Sequence, residues 1–193
     1  KRAKTSNRAE NPLLQDVNKG WLQKIREDAP DHVMGSTTKD GATTAGAVKV
    51  GKGGDYANLD AVVMDAVNEL IDAVYQDDDD LVVVCGRELL SDKYFPLVNK
   101  EQDNSEKIAA DLIISQKRMG GLQAVRAPYF PANALLITRL DNLSIYWQED
   151  TRRRSVIDNP KRDRIENFES VNEAYVVEDY RCAALVENIE IGD

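Results

Sequence analysis

The stretch NLDAVVMDAVNELIDAVYQDDDDLVVVC, residues 58–85, decides the fold. Leu59, Val62, Val63, Ala66, Val67, Leu70, Ile71 and Val74 recur at i, i+3, i+4 and i+7, the spacing of a helix with one buried face. Asp60, Asp65, Asn68 and Glu69 fall on the wet side. The spacing predicts a helix over 58–75, ended by four aspartates at 77–80. Leu81-Val82-Val83-Val84-Cys85 then runs apolar without a break, as a strand covered on both faces does. Gly86 turns the chain.

Working outward, helices are predicted over 88–99 and 105–117. After Gly120-Gly121 the pattern changes to strands. Val125, residues 135–138 and then Leu143, Ile145 and Trp147 run apolar or alternate, followed by 153–157, 164–168, 175–177 and 183–191. Towards the N-terminus, Pro12 is suited to the first position of a helix. Leu13, Leu14, Val17, Trp21, Leu22 and Ile25 make its stripe, and Pro30 closes it. Residues 31–55, rich in Gly, Thr, Ser and Ala, read as an exposed hairpin or loop with a short strand at Val48 and Val50. Residues 1–11 read as a linker or frayed end. Helices first and strands after, with one α/β-like crossover at the centre, make an α+β chain.

A chain of 193 residues can bury a real core in one domain or two small ones. Its net charge of −9 argues against a free-standing nucleic-acid binder. No apolar run approaches the roughly 20 residues that cross a bilayer, and no signal peptide is recognisable. The chain opens Lys1-Arg2-Ala3-Lys4 without Met and is read as a fragment or processed product. Two cysteines, Cys85 and Cys182, make no disulfide framework and read as buried free thiols.

Several stretches imitate chemical sites. Gly46-Ala47-Val48-Lys49-Val50-Gly51-Lys52-Gly53 satisfies G-x-x-x-x-G-K but has Gly53 where Ser or Thr must hold Mg²⁺. A flexible Gly-rich loop is the better account. Cys85, at a strand end before a Gly turn, sits where nucleophiles occur. It would need a base, and His32 is the single histidine. Four consecutive carboxylates at 77–80 lack the spacing and the Gly of a calcium loop and read as a solvated acidic loop. One His and two distant Cys cannot complete a tetrahedral metal shell. No catalytic, cofactor or metal residues are therefore assigned.

The one real charge feature is Arg152, Arg153 and Arg154 with Lys161, Arg162 and Arg164. Residues 151–165 carry six basic and two acidic side chains, against one basic and eight acidic over 166–193. No aromatics interleave at base-stacking spacing. The opposed halves suggest pairing within the sheet or between subunits; contact with packaged nucleic acid and a merely solvated face are the alternatives.

Seven segments in register carry a resemblance. They are Asn11-Pro12-Leu13-Leu14-Gln15-Asp16-Val17 with Gly20-Trp21-Leu22-Gln23-Lys24; Val50-Gly51-Lys52-Gly53-Gly54-Asp55-Tyr56-Ala57; and Asp92-Lys93-Tyr94-Phe95-Pro96 leading into residues 98–106. Pro128-Tyr129-Phe130-Pro131, Leu143-Ser144-Ile145-Tyr146, Asn159-Pro160-Lys161-Arg162-Asp163-Arg164 and Tyr175-Val176-Val177-Glu178-Asp179-Tyr180 complete the set. Together they resemble the major capsid proteins of P2-like tailed phages, over nearly the whole chain.

That resemblance implies the HK97-type capsid fold, with an axial (A) domain and part of a peripheral (P) domain, and without the N-terminal arm and E-loop that precede them in the family. It implies a linker, short helix and loop at 1–55, the A domain at 56–150, and P-domain strands at 151–193. It further implies a structural, non-enzymatic subunit of an icosahedral phage head, without cofactors. The implied partners are copies of itself in hexamers and pentamers, a scaffolding or protease protein, a portal, and the enclosed double-stranded DNA, with no membrane. The implied place is the virion, assembled in the host cytoplasm.

Overall fold

A strand made of Leu81-Val82-Val83-Val84-Cys85 has no polar face, so both sides must be covered, and all five residues are buried. The computed structural model describes residues 17–39, 42–98 and 113–192. In chain order the elements are α1 (Trp21–Asp28), β1 (Val33–Met34), β2 (Ser36–Lys39), β3 (Ala42–Ala45), β4 (Val48–Val50), α2 (Leu59–Leu70), β5 (Leu81–Cys85), α3 (Arg87–Val98), β6 (Arg118–Met119), β7 (Leu122–Arg126), β8 (Leu135–Arg139), β9 (Leu143–Trp147), β10 (Arg153–Asn159), β11 (Arg164–Ser170), β12 (Glu173–Val177), β13 (Ala183–Val186) and β14 (Ile189–Ile191).

Six strands form the central sheet in the order β1-β13-β8-β5-β7-β6. β5 pairs antiparallel with β8 and parallel with β7, the parallel partner reached through the α3 crossover. The register sorts the side chains. Val83, Ile137 and Ala184 lie opposite one another and pack with α2 residues Val62, Val63 and Ala66. Val84, Leu136 and Leu185 point the other way, onto Leu22 and Ile25 of α1. The sheet is thus sandwiched between α2 and α3 on one face and α1 on the other.

The order of elements is α+β, as the sequence pattern predicts, but several boundaries move. The N-terminal helix starts at Trp21 among the described residues, with Gly20 extended before it. Val17 lies exposed in a bend, and Pro12, Leu13 and Leu14 lie outside the described residues. α2 stops at Leu70 rather than running to 75. Ile71 is extended, Gln76 donates to the carbonyls of Asn68 and Ile71, and Val74 is 76% exposed. Most of the helix predicted over 105–117 lies outside the described residues; 113–116 are helical.

The strand predicted over 183–191 is two. It breaks at Asn188, which takes a left-handed φ of 53° and donates its side-chain amide to the Gly35 carbonyl at 2.7 Å. β13 lies inside the central sheet and β14 pairs in parallel with β4. The sheet therefore draws strands from both sides of the expected boundary at 150/151. Ala183 and Ala184 make this possible, because small side chains let β13 fit under both helix layers with no exposed area.

The Gly46–53 loop is not a phosphate cradle. Val48 and Val50 are buried in β4, and Lys49 between them points outward. A tight turn follows, with Gly51 and Gly53 at positive φ. Two amides of that turn are used internally: Gly51 donates to Tyr56 at 2.8 Å and Gly54 to Gly51 at 3.0 Å. Cys85 and Cys182 are buried and unbridged, and burial pushes both thiols above their ordinary range, away from the reactive thiolate.

Gly35 lies where the edge of the sheet meets the turn after β13, at a φ of 81°. A Cβ there would sit 2.0 Å from the Glu187 carbonyl oxygen. Gly35→Ala is expected to lower stability by about 2–4 kcal/mol, from backbone strain plus a clash with main chain that cannot step aside. A urea titration showing an unchanged midpoint would refute this account of the edge.

Candidate assembly surface

From β8 to β13 the chain runs out and back as one long antiparallel ribbon. β8 pairs with β13, β9 with β12, and β10 with β11, in nested order. The innermost section belongs to the central sheet. The outer two sections leave it, and the tip is the turn at Pro160–Arg162 with Asp163 left-handed.

The ribbon turns its first corner at Asn142 and Asp179. Asn142 is buried and donates its amide to the Thr138 hydroxyl at 3.0 Å and to the Asp179 carbonyl at 2.8 Å. Its side-chain oxygen accepts from the Asp179 N–H at 2.7 Å. Each leg of the ribbon thus satisfies the backbone of the other where the ladder is interrupted. Asp179 accepts in turn from Tyr75, from Arg181 through its guanidinium, and from the Arg181 N–H. Hydrogen bonds from Arg181, outweighing burial, hold its carboxyl down at about 2.

α1 braces the neck beyond that corner. Trp21 donates its indole N–H to the Ser144 carbonyl at 3.1 Å, and Asn18 its amide to the Glu173 carbonyl at 2.7 Å. The Trp21 and Tyr175 rings meet in a tilted arrangement with centroids 5.4 Å apart.

Past the neck, among the described residues, the hairpin of β10 and β11 packs mainly on itself. Ile145, Tyr146 and Trp147 of β9 are exposed. In β10 and β11 residues opposite each other share a face, so Val156 and Ile165 lie on one side, Ile157 and Phe168 on the other. Val156 is 60%, Ile165 73% and Phe168 53% exposed. Neither face of the hairpin is dry. The consecutive pair Val156-Ile157 was the signal available in the sequence: two adjacent apolar residues in a strand point to opposite faces.

The six basic residues all lie on this hairpin, in two separate groups. Arg152, Arg153 and Arg154 stand at its base, and Lys161, Arg162 and Arg164 at its tip. The strand between is seven residues, about 20 Å at roughly 3.3 Å each. Several pair within the hairpin. Arg152 meets Glu169 at 2.5 Å, and Arg164 meets Glu166 at 2.6 Å, with Arg162 at 3.8 Å from the same carboxylate. Arg154 donates to the Asn167 side chain at 3.4 Å. Arg153 and Lys161 have no ion pair among the described residues.

The remaining candidates do not converge. His32 contacts the Leu70 carbonyl at the end of α2 through Nδ1, and no hydrogen bond joins it to Cys85 among the described residues. In the 77–80 loop, Asp78 accepts from Arg139 at 3.1 Å. No group of three or more metal-ligating side chains forms among the described residues. No described helix is long and apolar enough to cross a membrane.

Comparison with known proteins agrees with this architecture. The family model described as "Phage major capsid protein, P2 family" matches residues 1–189. The chain is 63% identical over 194 aligned residues to the "Capsid proteins" sequence of Escherichia phage P2, covering 100% of this chain and 54% of that one. It is 39% identical over 190 residues to the major capsid protein of Serratia phage KSP20, covering 97% and 54%. Among solved structures it matches a chain of the satellite phage P4 procapsid, which includes the size determination (Sid) protein. The TM-score is 0.82 at 60% identity, over 100% of this chain and 57% of that one. The chain thus spans about half the length of the curated relatives it matches. Its architecture is the phage-capsid fold of the HK97 type.

Asp179 yields a test of the corner. Because its folded carboxyl titrates near 2, below the ordinary 3.8, its contribution is complete above about pH 4 and fades as pH falls towards 2. Wild type is therefore expected to exceed Asp179→Asn in urea midpoint at pH 5, with the gap closing by pH 2. A gap independent of pH would show that the charge plays no part in the corner.

Proposed function

The chain belongs to the P2 family of phage major capsid proteins, and from that premise we propose that it builds the icosahedral phage head as a non-catalytic, self-associating subunit. In this reading copies assemble into hexamers and pentamers that enclose double-stranded DNA. A scaffolding or protease protein and a portal are the further partners, and assembly takes place in the host cytoplasm. The family is one of structural shell proteins, not enzymes.

The observation that carries the proposal is the hairpin of β10 and β11. A lone two-stranded ribbon is marginal in water, and this one leaves apolar side chains uncovered on both faces. Such a surface is completed by another protein surface. In a shell subunit that surface is a neighbouring copy. The hairpin and neck are then the peripheral-domain part of the fold. The axial domain is the central sheet with its helices, to which the chain returns at β13. The basic residues at the base and tip of the hairpin would set the register of the contact by pairing with carboxylates of the neighbour.

Arg153, which has no ion pair among the described residues, tests this. Exposed pairs are worth about 0–1 kcal/mol each, so a monomer tolerates the loss of one, whereas a shell repeats it in every subunit. In the full-length gene product, Arg153→Glu is expected to keep the melting temperature and to abolish particle formation in electron micrographs. Normal particles would remove the subunit-pairing role. Particles that close but fail to hold DNA would assign the residue to nucleic acid instead.

A further inference from the structure

A second charged feature lies apart from the β10–β11 hairpin, beside β7 of the central sheet. Between α3 and residues 113–117 runs a groove of about 300 Å³ whose lining includes Arg87, Leu90, Tyr94, Phe95, Lys117 and Arg126. Its floor is apolar. Tyr94 is buried and fixed by donating its hydroxyl to the Arg118 carbonyl at 2.8 Å. The three cations Arg87, Lys117 and Arg126 are exposed and have no ion pair among the described residues. A trio of cations with no ion pair among the described residues, set around an apolar floor, suits an acidic segment of protein: carboxylates at the rim, chain in the groove.

The same sheet carries such a segment at its other end. The 77–80 loop leads into Leu81 at the start of β5, whereas Arg87 follows Cys85 at its end and Arg126 is the register partner of Cys85. Asp78 is engaged by Arg139, but Asp77, Asp79 and Asp80 are exposed and hold no ion pair among the described residues. A strand of five residues, about 15 Å, separates the loop from Arg87 and Arg126, so these two cations are free to meet the loop of another copy.

We propose that the groove of Arg87, Lys117 and Arg126 receives the 77–80 loop of a second copy of this chain. The contact rests on the shell-subunit reading and names one surface by which copies join. Complementary patches at opposite ends of one subunit make a head-to-tail contact, which propagates around a ring and closes when the rotation per contact divides a full turn. Charges at the rim govern encounter rate and register, so the contact is salt-sensitive.

The test uses the full-length gene product and scores particle yield by sedimentation and electron microscopy, with melting temperature as the check on folding. The double variant Arg87→Glu, Arg126→Glu and the double variant Asp79→Lys, Asp80→Lys are each expected to lose about tenfold in particle yield while staying folded. Combining all four substitutions is expected to restore it. An equimolar mixture of the two double variants is also expected to recover even-numbered rings, in which unlike copies alternate and each supplies the groove the other's loop fits. Loss in both variants without restoration in either combination would overturn the proposal, leaving the groove to nucleic acid or another partner. Wild-type yield from the double variants would overturn it while leaving the shell reading intact, whereas wild-type protein that never forms particles would defeat that reading itself. Should the Glu pair not fold, the neutral pair Arg87→Gln, Arg126→Gln is expected to lower yield and to flatten its dependence on salt; an unchanged dependence would overturn the proposal.

Discussion

The corner made by Asn142 and Asp179 is the constraint on which the rest of the molecule depends. A β-ladder cannot change direction without interrupting its hydrogen bonds, and interrupted backbone groups are costly when buried. Here the interruption falls beside the core. Asn142 takes over the bonds the ladder drops, reaching the main chain of one leg and the Thr138 hydroxyl of the other. Asp179 ties the same point to Tyr75 beyond α2. Without this joint the outward ribbon would have no defined direction relative to the sheet.

The ribbon in turn divides the molecule by energetic role. Inside the corner, β8 and β13 lie between two helix layers and contribute wholly buried side chains. There the burial of apolar area dominates. Outside it, Trp21 of α1 and Asn18 just before that helix supply a short brace, and beyond that the hairpin has, among the described residues, its own ladder and a few exposed ion pairs. Exposed pairs contribute little to folding. Stability is concentrated at one end and uncovered surface at the other, the arrangement a subunit needs if it folds first and completes its surface by association.

The stretches that imitate enzyme sites are absorbed by this scheme. Gly51 and Gly53 serve a turn after β4, which runs beside β14, and the Gly51 amide is bonded within that turn. Cys85 is a small apolar side chain under α2 and α3, and Cys182 plugs the start of β13. Both are held as neutral thiols by burial.

Local pattern made much of the fold legible. The 3.6-residue period of α2, the continuous apolar run of β5 and the α+β order could be read directly, because burial of one stripe or of both faces leaves a periodic trace in the chain. The end of α2 was not legible, since Val74 continues the period but Gln76 and the later turn capture the carbonyls of the last residues. Nor was the split at Asn188, whose left-handed turn is supported by Gly35, more than 150 positions away in the chain. The basic cluster was visible as composition, but its division into base and tip required the extended geometry of β10. The return of β13 to the central sheet was hidden as well. Ala183 to Val186 would suit any buried strand, and only pairing with β8, more than forty residues earlier, assigns its neighbour. The sequence by itself determined which segments must be buried and in what periodicity. Which strands lie side by side, and which apolar residues stay uncovered at the ribbon's end, was decided only in the tertiary structure, because these depend on long-range register and on the one corner that fixes where the ribbon points.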